Sequence, residues 1–199
     1  MDTVKMINRL KSAGVEFAEG MTAQELDLAE EFFRFRFPTE IRTFLSCGMP
    51  VGPSFFNFRD RTEANLTRFH TFQRSVKDAF LFDLEHNRED MCKLLANKGR
   101  ELSNGPSFDV AVIAYLDGSV KLIPFYAHRC FFDGMDDMPI VSFWQPIDSL
   151  VYGSDFENYL AHEFLGVECL LDHVPERLRE TGIWYEVIDF SMFDPSDES

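Results

Sequence analysis

Thr22 and Glu25 stand one helical turn apart at the head of an amphipathic stretch, and that spacing fixes where a helix begins. The threonine hydroxyl can accept from the backbone amide of Glu25, while the glutamate carboxylate reaches back to the amide of Thr22. Leu26, Ala29 and Phe33 then fall on one helical face. Pro38 opens a second helix, because its missing N–H would have had no partner in the first turn. Ile41, Phe44 and Leu45 give that helix its apolar side, and Gly48 is expected to end it in the left-handed conformation.

Elements on either side follow from periodicity and breakers. Val4, Ile7 and Leu10 predict a short first helix that stops near Gly14. After Met49-Pro50-Val51-Gly52-Pro53, the residues Phe55, Phe56 and Phe58 predict a short extended segment. Leu66, Phe69, Phe72, Val76, Phe80 and Leu84 recur at helical spacing, so 61–87 reads as helix. A further helix is expected over Glu89–Leu102, ended by Asn104-Gly105-Pro106.

Beyond that point the pattern reads as strands. Val110–Leu116 is a continuous apolar run bounded by Asp117-Gly118, a hairpin dipeptide, with Val120–Phe125 as the return strand. Asp133-Gly134 and Asp136-Asp137 mark a second turn, and Ile140–Trp144 and Ile147–Tyr152 predict more strands of an antiparallel meander. Ser154 is expected to cap a helix whose buried stripe is Phe156, Tyr159, Leu160 and Phe164. Pro175 opens a short helix through Leu178, and Ile183–Phe190 reads as a late edge strand. The expectation is an α+β fold, a central antiparallel sheet flanked by helices, in one domain over 1–193 with a polar, mobile tail at 194–199.

Composition narrows the function. The chain has 199 residues and 22 phenylalanines, which favour a packed core. A net charge of -15 repels phosphate backbones and argues against direct nucleic-acid binding, while it attracts basic partners. Cys47, Cys92, Cys130 and Cys169 are singly spaced and read as reduced core thiols of a cytoplasmic protein. No secretory signal opens the chain, and no apolar run is long enough to span a membrane.

A search for chemistry leaves one cluster. His162 and Glu163 lack the second histidine that a zinc helix requires, and the five histidines form no short-range pair. Phosphate loops and nucleophile elbows are absent. Glu30 and Glu31 are adjacent on a helix and diverge. No catalytic residue, metal or cofactor is expected. Tyr126, His128 and Arg129 follow a predicted strand, and Trp144 and Gln145 lie on the next. Pairing across the Asp133–Met138 turn would bring these groups to one end of the sheet, where arginine and large aromatics anchor interfaces. The competing reading has Tyr126 and Trp144 capping the core while Arg129 pairs with a carboxylate. Asp133, Asp136 and Asp137 lack calcium-loop spacing and read as a solvated acidic turn that a basic partner could touch.

These blocks together resemble the SUKH superfamily, the Smi/Knr-type cell-wall-regulator-like and bacterial immunity proteins. The resemblance runs through Gly20-Met21-Thr22-Ala23-Gln24-Glu25-Leu26, Phe37-Pro38-Thr39-Glu40-Ile41 and Phe44-Leu45. It continues in Leu122–Arg129, Val141–Gln145, Ile147–Gly153 and Ser154–Leu160. Cys47-Gly48 stands where many members have Asn-Gly, and the helical middle is unusually long. The resemblance implies an α+β binding domain with no catalytic residues to carry over. Its bacterial members look like immunity proteins that neutralise polymorphic or contact-dependent toxins; an acidic one would suit a basic nuclease toxin. A general interaction module of the cell-wall-regulator-like branch is the alternative. A small ligand-binding or enzymatic domain using Tyr126, His128 and Arg129 is the third.

Overall fold

The computed structural model describes residues 1–96, 108–168 and 176–193. The chain begins with α1 (Thr3–Ser12), β1 (Glu16–Ala18), α2 (Ala23–Phe33), α3 (Thr39–Cys47) and β2 (Met49–Val51). Three helices follow: α4 (Glu63–His86), α5 (Arg88–Leu94) and α6 (Phe108–Asp117). Strands β3 (Leu122–Tyr126), β4 (Arg129–Phe132), β5 (Ile140–Ser142) and β6 (Leu150–Gly153) then precede α7 (Phe156–Leu165) and α8 (Ile183–Phe193). Short 3-10 turns occupy Pro146–Asp148 and Glu176–Thr181. The class is α+β: β3-β4-β5-β6 form an antiparallel meander, and β1 pairs separately with β2. No described helix is long and apolar enough to cross a membrane.

Both faces of the meander are covered. Ile123, Phe125, Phe131 and Ile140 point into a core built with α1, α2, α3 and α7, where Phe35, Phe37, Phe58 and Phe131 meet in edge-on and tilted contacts. Leu122, Cys130, Phe132 and Val141 point the other way, into a second core with α5, α6 and α8. Helix α4 serves both: Leu66 and Phe69 pack in the first core, and Val76, Phe80 and Leu84 in the second. Its 24 residues span about 36 Å, enough to reach across the sheet. It also covers the edge strand β3, with Gln73 Nε2 donating to the Leu122 carbonyl at 2.7 Å. The Phe56 amide donates to the Phe125 carbonyl at 2.9 Å, closing more of the same edge, where Pro124 is tolerated.

The helix–proline–helix unit is as its sequence requires, with two changes. The reciprocal Thr22–Glu25 cap is present. Pro38 is the N-cap of α3 and so has no side chain to offer its first amides. Asp136 substitutes from the β4–β5 turn, accepting from the Thr39 amide at 2.6 Å and the Thr39 hydroxyl at 3.0 Å. Gly48 has φ −179°, extended rather than left-handed, because the chain runs directly into β2.

Other expectations are corrected. Val110–Leu116 is helical, not a strand, and Gly118 continues the last helical turn by donating to the Ala114 carbonyl. Phe108, Val112 and Leu116, one turn apart, bury against the second core and decide the matter; a short apolar run does not distinguish strand from helix by itself. Ile183–Phe190 is helix for the same reason, with Ile183, Trp184, Val187 and Ile188 on its inner side. Ser119 Oγ accepts from the Ile183 amide at 2.9 Å where that helix begins. The meander gains β4, directly after the Ala127-His128 turn, in place of the strand expected at 110–116. Residues 146–148 are a 3-10 turn, so β6 starts later than expected.

Smaller corrections concern ends and exposure. Asp155, not Ser154, caps α7, accepting from the Asn158 amide. Of the 55–58 segment only Phe55 bridges a strand, opposite Tyr126. Val4 faces solvent and Met6 takes its place in the core. Cys47 and Cys92 are exposed free thiols; among the described cysteines only Cys130 is a core thiol, and burial pushes its pKa far up. Leu102, Asn104-Gly105-Pro106, Cys169, Pro175 and the 194–199 tail lie outside the described residues.

Close approach requires glycine at Gly153, as it does at Gly20 against the Ser46 carbonyl. A Cβ at Gly153 would stand 2.4 Å from Tyr159 Cβ and 2.5 Å from its Cα, where α7 crosses the end of β6. Gly153→Ala is therefore expected to destabilise the fold by roughly 3 kcal/mol in urea unfolding, since backbone as well as side chain must move. A cost below about 1 kcal/mol would mean that α7 docks on β6 more loosely than the structure shows.

Candidate functional site

The antiparallel register Arg129↔Ser142 brings His128 and Trp144 to one end of the sheet. Their rings meet edge to face at 6.2 Å, and the Phe143 amide donates to the His128 carbonyl at 3.0 Å. Trp144 and Gln145 occupy a bend after β5 rather than the strand itself. The rest of the predicted cluster is used elsewhere. Tyr126 packs on the other side of the hairpin, against Phe55 at 4.6 Å and Phe164 at 5.1 Å.

Arg129 is an interior strut. It is 9% exposed, donating from Nε to Glu163 Oε2 at 3.0 Å and from Nη1 to Ser142 Oγ at 3.0 Å. Its guanidinium also lies 3.5 Å over the Tyr152 ring, so one side chain ties β4, β5, β6 and α7 together. The same Nη1 touches His128 Nε2. A guanidinium only donates, so Nε2 accepts and the imidazole proton sits on Nδ1. Burial, then the Arg129 charge, hold the His128 pKa below its ordinary value, with Glu163 and Asp148 pulling the other way.

The acidic turn at the opposite end of β4 is also mostly internal. Asp133 accepts from the Arg36 amide at 2.7 Å, and Asp136 is the cap of α3 already described. Burial raises the Asp133 pKa despite that bond. Asp137 alone projects, with its side chain 91% exposed and Arg177 3.8 Å away.

What gathers around Trp144 is a cleft of about 430 Å³ between α4 and the hairpin end of the sheet. Phe72, Ala79 and Phe143 form its apolar lining, and Ala127 and His128 close one end. Trp144 is 67% exposed and Phe82 45% exposed, so both aromatics stand at the mouth. Phe82 is held by stacking on His86 at 4.3 Å. The Trp144 wall is held by the fully buried Asp83, which accepts from the Ile147 amide at 3.3 Å and from Asn87 Nδ2 at 2.8 Å. Ser75, Asp78 and Gln145 supply the polar rim. A larger depression of about 920 Å³ runs along α1, but Lys5, Arg9 and Asp2 give it mixed charge and it contains none of the predicted site residues.

Phe82, Asp78 and Asp83 were not singled out from sequence. The available signal was Leu81-Phe82, two large apolar residues off the buried stripe of α4. Among the described residues no three His, Cys, Asp or Glu side chains converge as a metal site would require. His162 instead points Nδ1 at the Val167 carbonyl, 2.8 Å away. An apolar cleft with exposed aromatics and one carboxylate on its polar rim is suited to holding another molecule's side chain. No known protein family, characterised protein or solved structure matches the chain.

Removing Arg129 should leave the half-buried Glu163 carboxylate without its ion partner. Arg129→Ala is expected to cost about 3 kcal/mol in chemical denaturation, and adding Glu163→Gln should return part of that loss. Purely additive losses in the double variant would contradict the pairing.

Proposed function

We propose that this protein is a non-catalytic, cytoplasmic protein-binding domain of the SUKH type, an immunity protein that neutralises a basic toxin domain by covering it. The observation that carries this reading is Trp144, a large aromatic left two-thirds exposed at the mouth of a preformed cleft. An exposed tryptophan on a rigid wall loses little conformational freedom when a partner buries it, which is why such residues dominate binding energy. The -15 charge adds fast encounter with a cationic partner and would compete with nucleic acid for a nuclease groove. The meander flanked by helices is the architecture that the sequence resemblance implies.

The partner is sought first in the adjacent gene, since immunity and toxin genes are neighbours. Co-expression with that gene's product should give a complex that survives size-exclusion chromatography. Trp144→Ala should weaken it about 30-fold without changing the thermal midpoint of the free protein. Failure of any toxin-like neighbour to bind, or substrate turnover that is lost when one cleft side chain is changed, would contradict the proposal.

A further inference from the structure

We infer that the cleft between α4 and Trp144 is a receptor for one cationic side chain, an arginine or lysine flanked by apolar residues on the partner protein. This rests on the protein-binding reading and says which chemistry the surface selects.

The cleft combines two features that favour a cation together more than either does alone. Trp144 and Phe82 present aromatic rings at the mouth, and a guanidinium or ammonium is drawn to such faces. Asp78 lines the cleft from α4, and Asp148 stands near enough to His128 to act on its charge. Neither carboxylate forms an ion pair among the described residues, not even Asp78 with Arg74 one turn before it. By contrast Glu25, Glu30, Asp27, Asp109, Asp117 and Glu163 hold basic partners.

The cleft also offers a cation no competitor. Arg129 is close by, but its guanidinium lies behind His128 and is committed to Glu163 and Ser142. His128 touches that guanidinium through Nε2, and burial and the Arg129 charge hold its pKa below the ordinary value. An incoming cation thus meets the unpaired Asp78 carboxylate, aromatic faces and an apolar floor for the methylene stem of the side chain, with the Asp148 charge nearby outside the lining. An acidic side chain would meet repulsion, and a neutral apolar one would leave Asp78 desolvated without a partner.

The chain supplies its own reporter. It has two tryptophans; Trp184 is buried and donates to the Val120 carbonyl at 2.6 Å, so changes in emission on surface binding report Trp144. The probe is the blocked peptide acetyl-Leu-Arg-Leu-amide, compared with the same peptide carrying citrulline, which keeps the shape and removes the charge. The arginine peptide should change Trp144 emission saturably, and the citrulline peptide should bind about tenfold more weakly or worse. Asp78→Asn, an exposed change that leaves the thermal midpoint in place, should weaken the arginine peptide about tenfold and shrink the difference between the two probes.

Equal response to both peptides, or no effect of Asp78→Asn, overturns the inference. So does an emission shift with protein concentration alone, which would give the cleft to a second copy of this chain. A tight complex with the toxin-like neighbour that is indifferent to Asp78→Asn would leave the binding function standing and remove only this site. Peptide binding without any such neighbour complex would support the cleft and remove the immunity reading.

Discussion

Alternation along the four strands divides the hydrophobic content of the chain into two cores. Ile123, Phe125 and Phe131 face one way; Leu122, Cys130 and Phe132 face the other. A sheet buried on both faces cannot slip by one residue, because every side chain would change core. It also has to be reached by helices from both directions. One long helix, α4, satisfies both cores and seals the exposed edge of β3 through Gln73. The position of α4 beside the hairpin end of the sheet is what forms a cleft there.

Arg129 sets what that cleft can be. Its guanidinium bonds Glu163 and Ser142, covers Tyr152 and fixes the tautomer of His128. A charged group that anchors four elements cannot also be offered to a partner, so the surface is left with aromatics, amides and carboxylates. The acidic turn illustrates the same economy at the other end of β4, where Asp133 and Asp136 organise the α2–α3 unit. Charge visible in the sequence is therefore not the same as charge available for recognition.

Features confined to one or two helical turns were legible before the structure. The Thr22–Glu25 cap, the inner face of α2 and the periodicity of α4 depend on neighbours in sequence. The juxtaposition of His128 with Trp144 was legible too, because one hairpin register sufficed to bring them together. Helices α6 and α8 were misread because their residues are β-branched and aromatic. Tertiary packing at one-turn spacing outweighs that strand preference. Strand β4 escaped notice since all four of its residues are buried, so it lacks the buried–exposed alternation of a half-covered strand. Phe82, Asp78 and Asp83 reach the site from α4, more than sixty residues away in places, and Asp136 caps a helix 97 residues earlier. No local pattern encodes such contacts.

The central claim is that this chain acts by presenting the α4–Trp144 cleft to another protein. Hydrogen–deuterium exchange on the free protein and on its complex with the neighbouring gene's product tests it most directly. Slowed exchange concentrated in peptides covering 75–86 and 143–149 is the predicted result. Protection at the 133–138 turn or along α1, with both cleft peptides unchanged, would contradict it.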